Sequence, residues 1–117
     1  MPAKKQVLSI GSDPELLLLR HAVLKSAGFD VQTISDANKA LEKIRAGYCG
    51  VLLLCYSFEV ETRRQLADTF RSYCPNGRIV AISDRQPDMP YLGDVLVYGL
   101  DGPEALIEAI HGDTQPA

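Results

Sequence analysis

The sequence predicts an α/β fold, a doubly wound parallel sheet of five strands with helices on both faces. Three observations predict it. Short apolar runs alternate with amphipathic helical segments in the order β-α-β-α-β-α-β, then a connector, then β-α, which is the pattern of parallel strands joined by right-handed crossovers. The run Gly50-Val51-Leu52-Leu53-Leu54-Cys55 is apolar at successive positions, as a strand covered on both faces is. Capping residues and glycines stand where each helix must start and stop.

Val7 to Ile10 is a first short strand. It ends at Gly11-Ser12-Asp13-Pro14, where Ser12 or Asp13 caps a helix and Pro14 suits its first turn. In that helix Leu16, Leu19, Val23 and Ala27 recur at helical spacing, Leu17 and Leu24 widen the stripe, and Gly28 supplies the stop. His21 falls off the stripe and is expected in solvent. Phe29 to Ile34 alternates with period two, as an edge strand does. Ser35 or Asp36 caps a second helix whose buried face is Ala37, Ala40, Leu41 and Ile44, with Gly47 ending it and Lys39, Glu42, Lys43 and Arg45 outside that face.

After the third strand, Val60 to Tyr73 carries Leu66, Ala67, Phe70 and Tyr73 at helical spacing before Pro75-Asn76-Gly77 breaks it. Arg63, Arg64 and Arg71 then form an exposed face. Ile79 to Ile82 is a fourth strand closed by Ser83, and Val95 to Tyr98 a fifth, followed by a turn at Asp101-Gly102. Pro103 opens a last helix through Ile110, and Gly112 ends it. A single domain over 1–117, with a folded core at 6–111 and a tail at 112–117, is the expected organisation.

With 12 Lys and Arg against 15 Asp and Glu and a pI near 5.3, the chain has no electrostatic reason to bind nucleic acid or an anionic membrane. No apolar run approaches the roughly 20 residues that span a bilayer, and Lys4 and Lys5 precede only a short strand, so neither a signal peptide nor a membrane segment is expected and a cytoplasmic location follows. Three cysteines without CxxC spacing fit neither a disulfide scaffold nor a zinc site, and no metal is expected. Cys49 and Cys55 lie about 20 Å apart along one extended segment at ~3.3 Å per residue, too far for a bridge. Cys74 returns to the same sheet edge as Cys49, which makes that contact sterically feasible. The expectation is nonetheless three reduced thiols acting as small apolar residues.

Three stretches carry a family likeness: Val7-Leu8-Ser9-Ile10-Gly11-Ser12-Asp13-Pro14-Glu15-Leu16, then Leu24-Lys25-Ser26-Ala27-Gly28-Phe29-Asp30-Val31, then Asp36-Ala37 with Ala40-Leu41. Together they resemble the receiver domain of two-component response regulators, over nearly the whole chain from about Val7 to His111. The resemblance implies a flavodoxin-like sheet of order 2-1-3-4-5. It also implies a reaction, the transfer of a phosphoryl group from a histidine kinase to an aspartate at the end of the third strand. That reaction needs an acidic pair after the first strand to hold Mg²⁺, a hydroxyl after the fourth strand, and a lysine after the fifth.

Placed on that pattern, Cys55 stands at the phospho-acceptor position and is not expected to function there. Gly11 and Ser12 stand at the acidic pair, leaving Asp13 as the carboxylate of that loop, so Mg²⁺ is expected to bind weakly or not at all and no cofactor is expected. Ser83 matches the switch hydroxyl. The lysine position falls near Gly99, and no lysine follows Lys43 anywhere in the chain. In the connector Asp84 to Asp94, two prolines and Gly93 replace the region that carries the family's fourth helix, which is therefore expected to be shortened or lost.

The expected function is that of a degenerate receiver, not an enzyme, acting in bacterial signalling without phosphorylation. It ends just past the last helix, so no output domain is expected and signals pass through a protein partner, with homodimerisation compatible. Met89, Tyr91 and Leu92 in the connector are the candidate partner surface. Two other readings stand beside it. One makes Cys55 a thiol redox sensor whose reactivity is raised by nearby helix N-termini. The other makes the same sheet edge a site for a small phosphate or nucleotide, held by Ser9, Ser12 and Ser83 and by the amides opening the first helix.

Overall fold

The computed structural model describes residues 5–48, 50–55, 58–83, 94–98 and 102–111. Five strands, β1 (Gln6–Ile10), β2 (Asp30–Ile34), β3 (Val51–Cys55), β4 (Arg78–Ser83) and β5 (Val95–Tyr98), form one parallel sheet of order β2-β1-β3-β4-β5. Its centre is β3, buried at every position, as its unbroken apolar run requires. The register sets Ile10 beside Leu54 and Ile34, and Cys55 beside Ile82, so the strands finish along one carboxyl edge.

Four helices are present among the described residues: α1 (Pro14–Ser26), α2 (Ala37–Arg45), α3 (Val60–Tyr73) and α4 (Pro103–His111). Alternation along the strands divides the core into two layers. Leu8, Ile10, Leu52, Leu54 and Ile79 meet Ala40, Leu41 and Ile44 of α2 and Leu66, Ala67 and Phe70 of α3. Val7, Val51, Leu53, Val80 and Ile82 meet Leu24 of α1 and Leu106, Ala109 and Ile110 of α4 on the other face. Gly28 at φ 94° and Gly47 at φ 99° turn the chain out of α1 and α2 through the left-handed region, where a side chain is strained.

The helix α1 departs from its expected orientation. Leu17 and Leu24 are its buried residues, whereas Leu19, assigned to the inner stripe from the sequence, is 62% exposed and Leu18 is 72% exposed. Four consecutive leucines leave the helix apolar nearly all round, so periodicity alone does not define which face is inward. His21, expected in solvent, is half-buried with Nδ1 2.7 Å from Thr33 Oγ1 of β2. Arg63 is also half-buried, its Nε donating to Phe58 O at 3.0 Å.

The amino edge of the sheet is tied by long-range polar contacts. Arg78 Nε donates to Ala109 O at 2.9 Å, and Lys5 Nζ donates to Ile110 O and His111 O at 3.3 Å, satisfying carbonyls that α4 leaves open at its C-terminus. Asp94 enters β5 by accepting the Ile79 N–H at 2.8 Å and giving its own N–H to Ile79 O, while its other oxygen meets Arg71 Nη1 at 3.2 Å. Tyr48 OH donates to Asp30 O at 2.9 Å, and burial, helped by the Asp30 charge, pushes its phenol up to about 12. Cys74, against expectation, is disulfide-bonded, and Cys55 is not. The other member of the contact anticipated from the sequence, Cys49, lies outside the described residues.

Candidate functional site at the carboxyl edge of the sheet

Asp13 is the N-cap of α1. Its backbone is extended and its carboxylate accepts the Glu15 N–H at 3.1 Å and the Leu16 N–H at 3.4 Å, a cap of about 1 kcal/mol. Leu17 N–H donates to Asp13 O at 3.1 Å, and Pro14 has no N–H, so every amide of the first turn is accounted for. The loop's carboxylate is therefore engaged in holding the helix. Gly11 is buried after β1, alongside Cys55 by register, and Ser12 is exposed.

Cys55 is the last residue of β3 and is 1% exposed. Alternation with Leu53 turns it toward α1, and there Arg20 Nη1 donates to its sulfur at 3.1 Å. Ser83 closes β4, one residue beyond the position paired with Cys55. Ser9 lies deeper on β1, 1% exposed, level with Thr33 and Leu53, and its hydroxyl has no hydrogen-bond partner among the described residues. Gly99, Met89, Tyr91 and Leu92 lie outside the described residues, as does the segment expected to lack the fourth helix.

A polar seam thus runs beneath α1, with His21 on Thr33 at one side of Ser9 and Arg20 on Cys55 at the other. It explains the orientation of the helix. Where the sheet offers the Cys55 thiol and the Thr33 hydroxyl, turning Arg20 and His21 inward satisfies polar groups that leucines would strand, Ser9 being covered without a partner among the described residues, and Leu18 and Leu19 are left outward. Arg20 was not singled out in the sequence. The available signal was its place between Leu17 and Leu24, on the inner face those two leucines define.

The first-turn amides of α1 are engaged by Asp13, and Ser9, Ser12 and Ser83 sit at different depths, from buried to exposed. Among the described residues no group of three or more His, Cys, Asp or Glu side chains is placed to hold a metal ion. No helix of the described residues is long and apolar enough to cross a membrane.

No protein-family model matches the chain, and no curated protein does. Solved structures do. Chemotaxis protein CheY4 of Vibrio cholerae superposes with a TM-score of 0.83 at 18% identity, covering 96% of this chain and 100% of its own. A response regulator receiver protein of Sinorhizobium medicae gives 0.78 at 24% identity, covering 93% of each chain. A response regulator of Thermotoga maritima, solved in complex with a histidine kinase, gives 0.78 at 17% identity over 92% of this chain and 97% of its own, and has also been solved with Mg²⁺ and BeF. The fold is the flavodoxin-like fold of these receiver domains.

Proposed function

We propose that the chain is a receiver-like signalling module of the cytoplasm, not an enzyme, that works without aspartyl phosphorylation and acts by binding a protein partner. The observation that carries this reading is the contact between Arg20 and Cys55. Where phosphoryl transfer requires an accessible carboxylate nucleophile, β3 ends in a buried thiol with a guanidinium against it. The remaining carboxylate of the β1–α1 loop supports the same reading, because capping α1 occupies it and a hard divalent ion held by one such group binds weakly. Gly99, at the lysine position, removes the cation that steadies the phosphoryl oxygens.

That a structural neighbour is seen with a histidine kinase supports a protein partner for this chain. The connector residues Met89, Tyr91 and Leu92 are the proposed surface for it, to be tested by alanine replacement and pull-down, in which unchanged partners would remove them. The principal experiment is incubation with Mg²⁺ and a small phosphodonor, followed by intact mass. No added phosphoryl mass is expected, from the wild type or from Cys55→Asp, since restoring one carboxylate restores neither the acidic pair nor the lysine. A phosphorylated wild-type species would overturn the proposal.

Thiol chemistry remains a second reading because Arg20 lies on the sulfur. Reactive thiols combine an electropositive neighbour with access, and Cys55 has the first without the second. Alkylation of native protein at the rate of a buried, inert thiol would exclude it.

A further inference from the structure

Among the described residues, the outer face of α1 carries the most exposed pair of large apolar side chains. Leu18 at 72% and Leu19 at 62% are the most exposed large hydrophobic side chains among the described residues, and exposed Ala22 continues the strip. Contiguous exposed apolar surface of this kind marks an interaction site more often than a lone leucine does. Exposed Glu15 and Lys25 bracket it, one at each end.

We propose that this face binds a second copy of itself, α1 packing antiparallel on α1 about a two-fold axis near the middle of the helix. Charge and size are both self-complementary. Glu15, Leu18, Ala22 and Lys25 are symmetric about position 20, so an antiparallel partner lays Leu18 on the other copy's Ala22 and Glu15 on its Lys25, and each contact occurs twice. A large side chain opposite a small one lets the helices approach closely, and Leu19 closes the flank. The residue at the centre, Arg20, would oppose itself if it pointed outward, but it is turned inward onto Cys55, and neighbouring His21 is turned onto Thr33. The same polar seam that draws these two inward clears the axis and pushes the leucines out.

The surface commits to a copy of this chain because charge and size match within one helix face. Its area sets the strength. A helix of 13 residues is ~20 Å long and ~10 Å across, so each copy contributes roughly 200 Å², well below the ~800 Å² of a stable interface. The dimer is therefore weak, reversible and concentration-dependent. This inference does not depend on the receiver reading.

Sedimentation velocity of the whole chain over a range of concentrations up to millimolar tests it. Reversible dimerisation is expected, weakening with added salt as exposed ion pairs are screened. Leu18→Asp with Leu19→Asp should stay monomeric throughout with an unchanged circular dichroism spectrum, and Leu19→Gln, which keeps charge constant, should weaken association in the same direction. Glu15→Lys should raise the dissociation constant about tenfold, because two exposed pairs are lost per dimer. The exchange variant Glu15→Lys with Lys25→Glu should recover it. A wild type monomeric at every concentration, a dimer indifferent to Leu18 and Leu19, failure of the exchange to restore association, or capture of a different protein on this face by a chain that stays monomeric would each overturn the proposal.

Discussion

The two edges of the sheet have been put to different uses. At the amino edge, Lys5, just before β1, and Arg78 of β4 reach to the last carbonyls of α4, Asp94 joins the starts of β4 and β5 and meets Arg71 of α3, and Tyr48 bonds β2. Each contact links segments distant in sequence. At the carboxyl edge, where open α/β sheets place their ligands, the described polar groups are engaged in two other ways: Asp13 caps its own helix, and Arg20 of α1 reaches across to the Cys55 side chain of β3, a contact as distant in sequence as those of the other edge. Among the described residues, the amino edge is thus tied mainly by side chains that bond main-chain groups of neighbouring elements, and the carboxyl edge by a helix cap and a side-chain pair.

Four measurements break or sharpen that contrast. The largest effect is expected at Gly50, where a Cβ would stand 2.1 Å from Gln6 O, a backbone atom. Gly50→Ala must prise β1 from β3 and should cost about 3 kcal/mol by urea midpoint. A near-neutral substitution there would mean that this edge gives more easily than its contacts suggest. Next is Asp94→Ala, which strands the half-buried Ile79 N–H and should cost about 2 kcal/mol, with Asp94→Asn recovering part of it because an amide oxygen still accepts.

Arg20→Ala, at the carboxyl edge, should cost only about 1 kcal/mol, the worth of one half-buried hydrogen bond, while speeding alkylation of Cys55 by uncovering it. A loss larger than that of Asp94→Ala would reverse the comparison. The smallest effect is one of pH. Tyr48 is raised from 10.0 to about 12 in the fold, so its stabilisation is complete below about pH 10 and lost as pH rises through about 12. The pH dependence of unfolding between those limits should flatten in Tyr48→Phe, which lacks the titrating group.

All nine elements present among the described residues carry a local signal: Pro14 and Pro103 at helix starts, Gly28 and Gly47 at helix ends, unbroken apolarity at Val51 to Leu54. Of the capping candidates Ser12 or Asp13 and Ser35 or Asp36, Asp13 and Asp36 are the ones whose carboxylates accept the helix amides. The orientation of α1 differs from its local signal. Leu19 and His21 exchange the environments expected of them, since a helix with leucine at four successive positions has a weak apolar direction and is oriented by what the sheet presents. The redox state of Cys74 was likewise missed, because pairing between cysteines distant in the chain leaves no mark on local sequence.

The order of strands and helices, the burial of β3 and the candidate caps of α1 and α2 are legible in the sequence alone. These follow from periodicity, from capping chemistry and from which side chains are present at all. Tertiary structure alone decided what the surviving polar groups do. Whether Arg20 meets solvent or Cys55, whether His21 meets solvent or Thr33, and whether Leu18 and Leu19 face the core or the outside depend on how α1 is rotated against the sheet. That rotation is set by contacts between residues far apart in the chain, above all by the Cys55 thiol and the Thr33 hydroxyl that Arg20 and His21 meet.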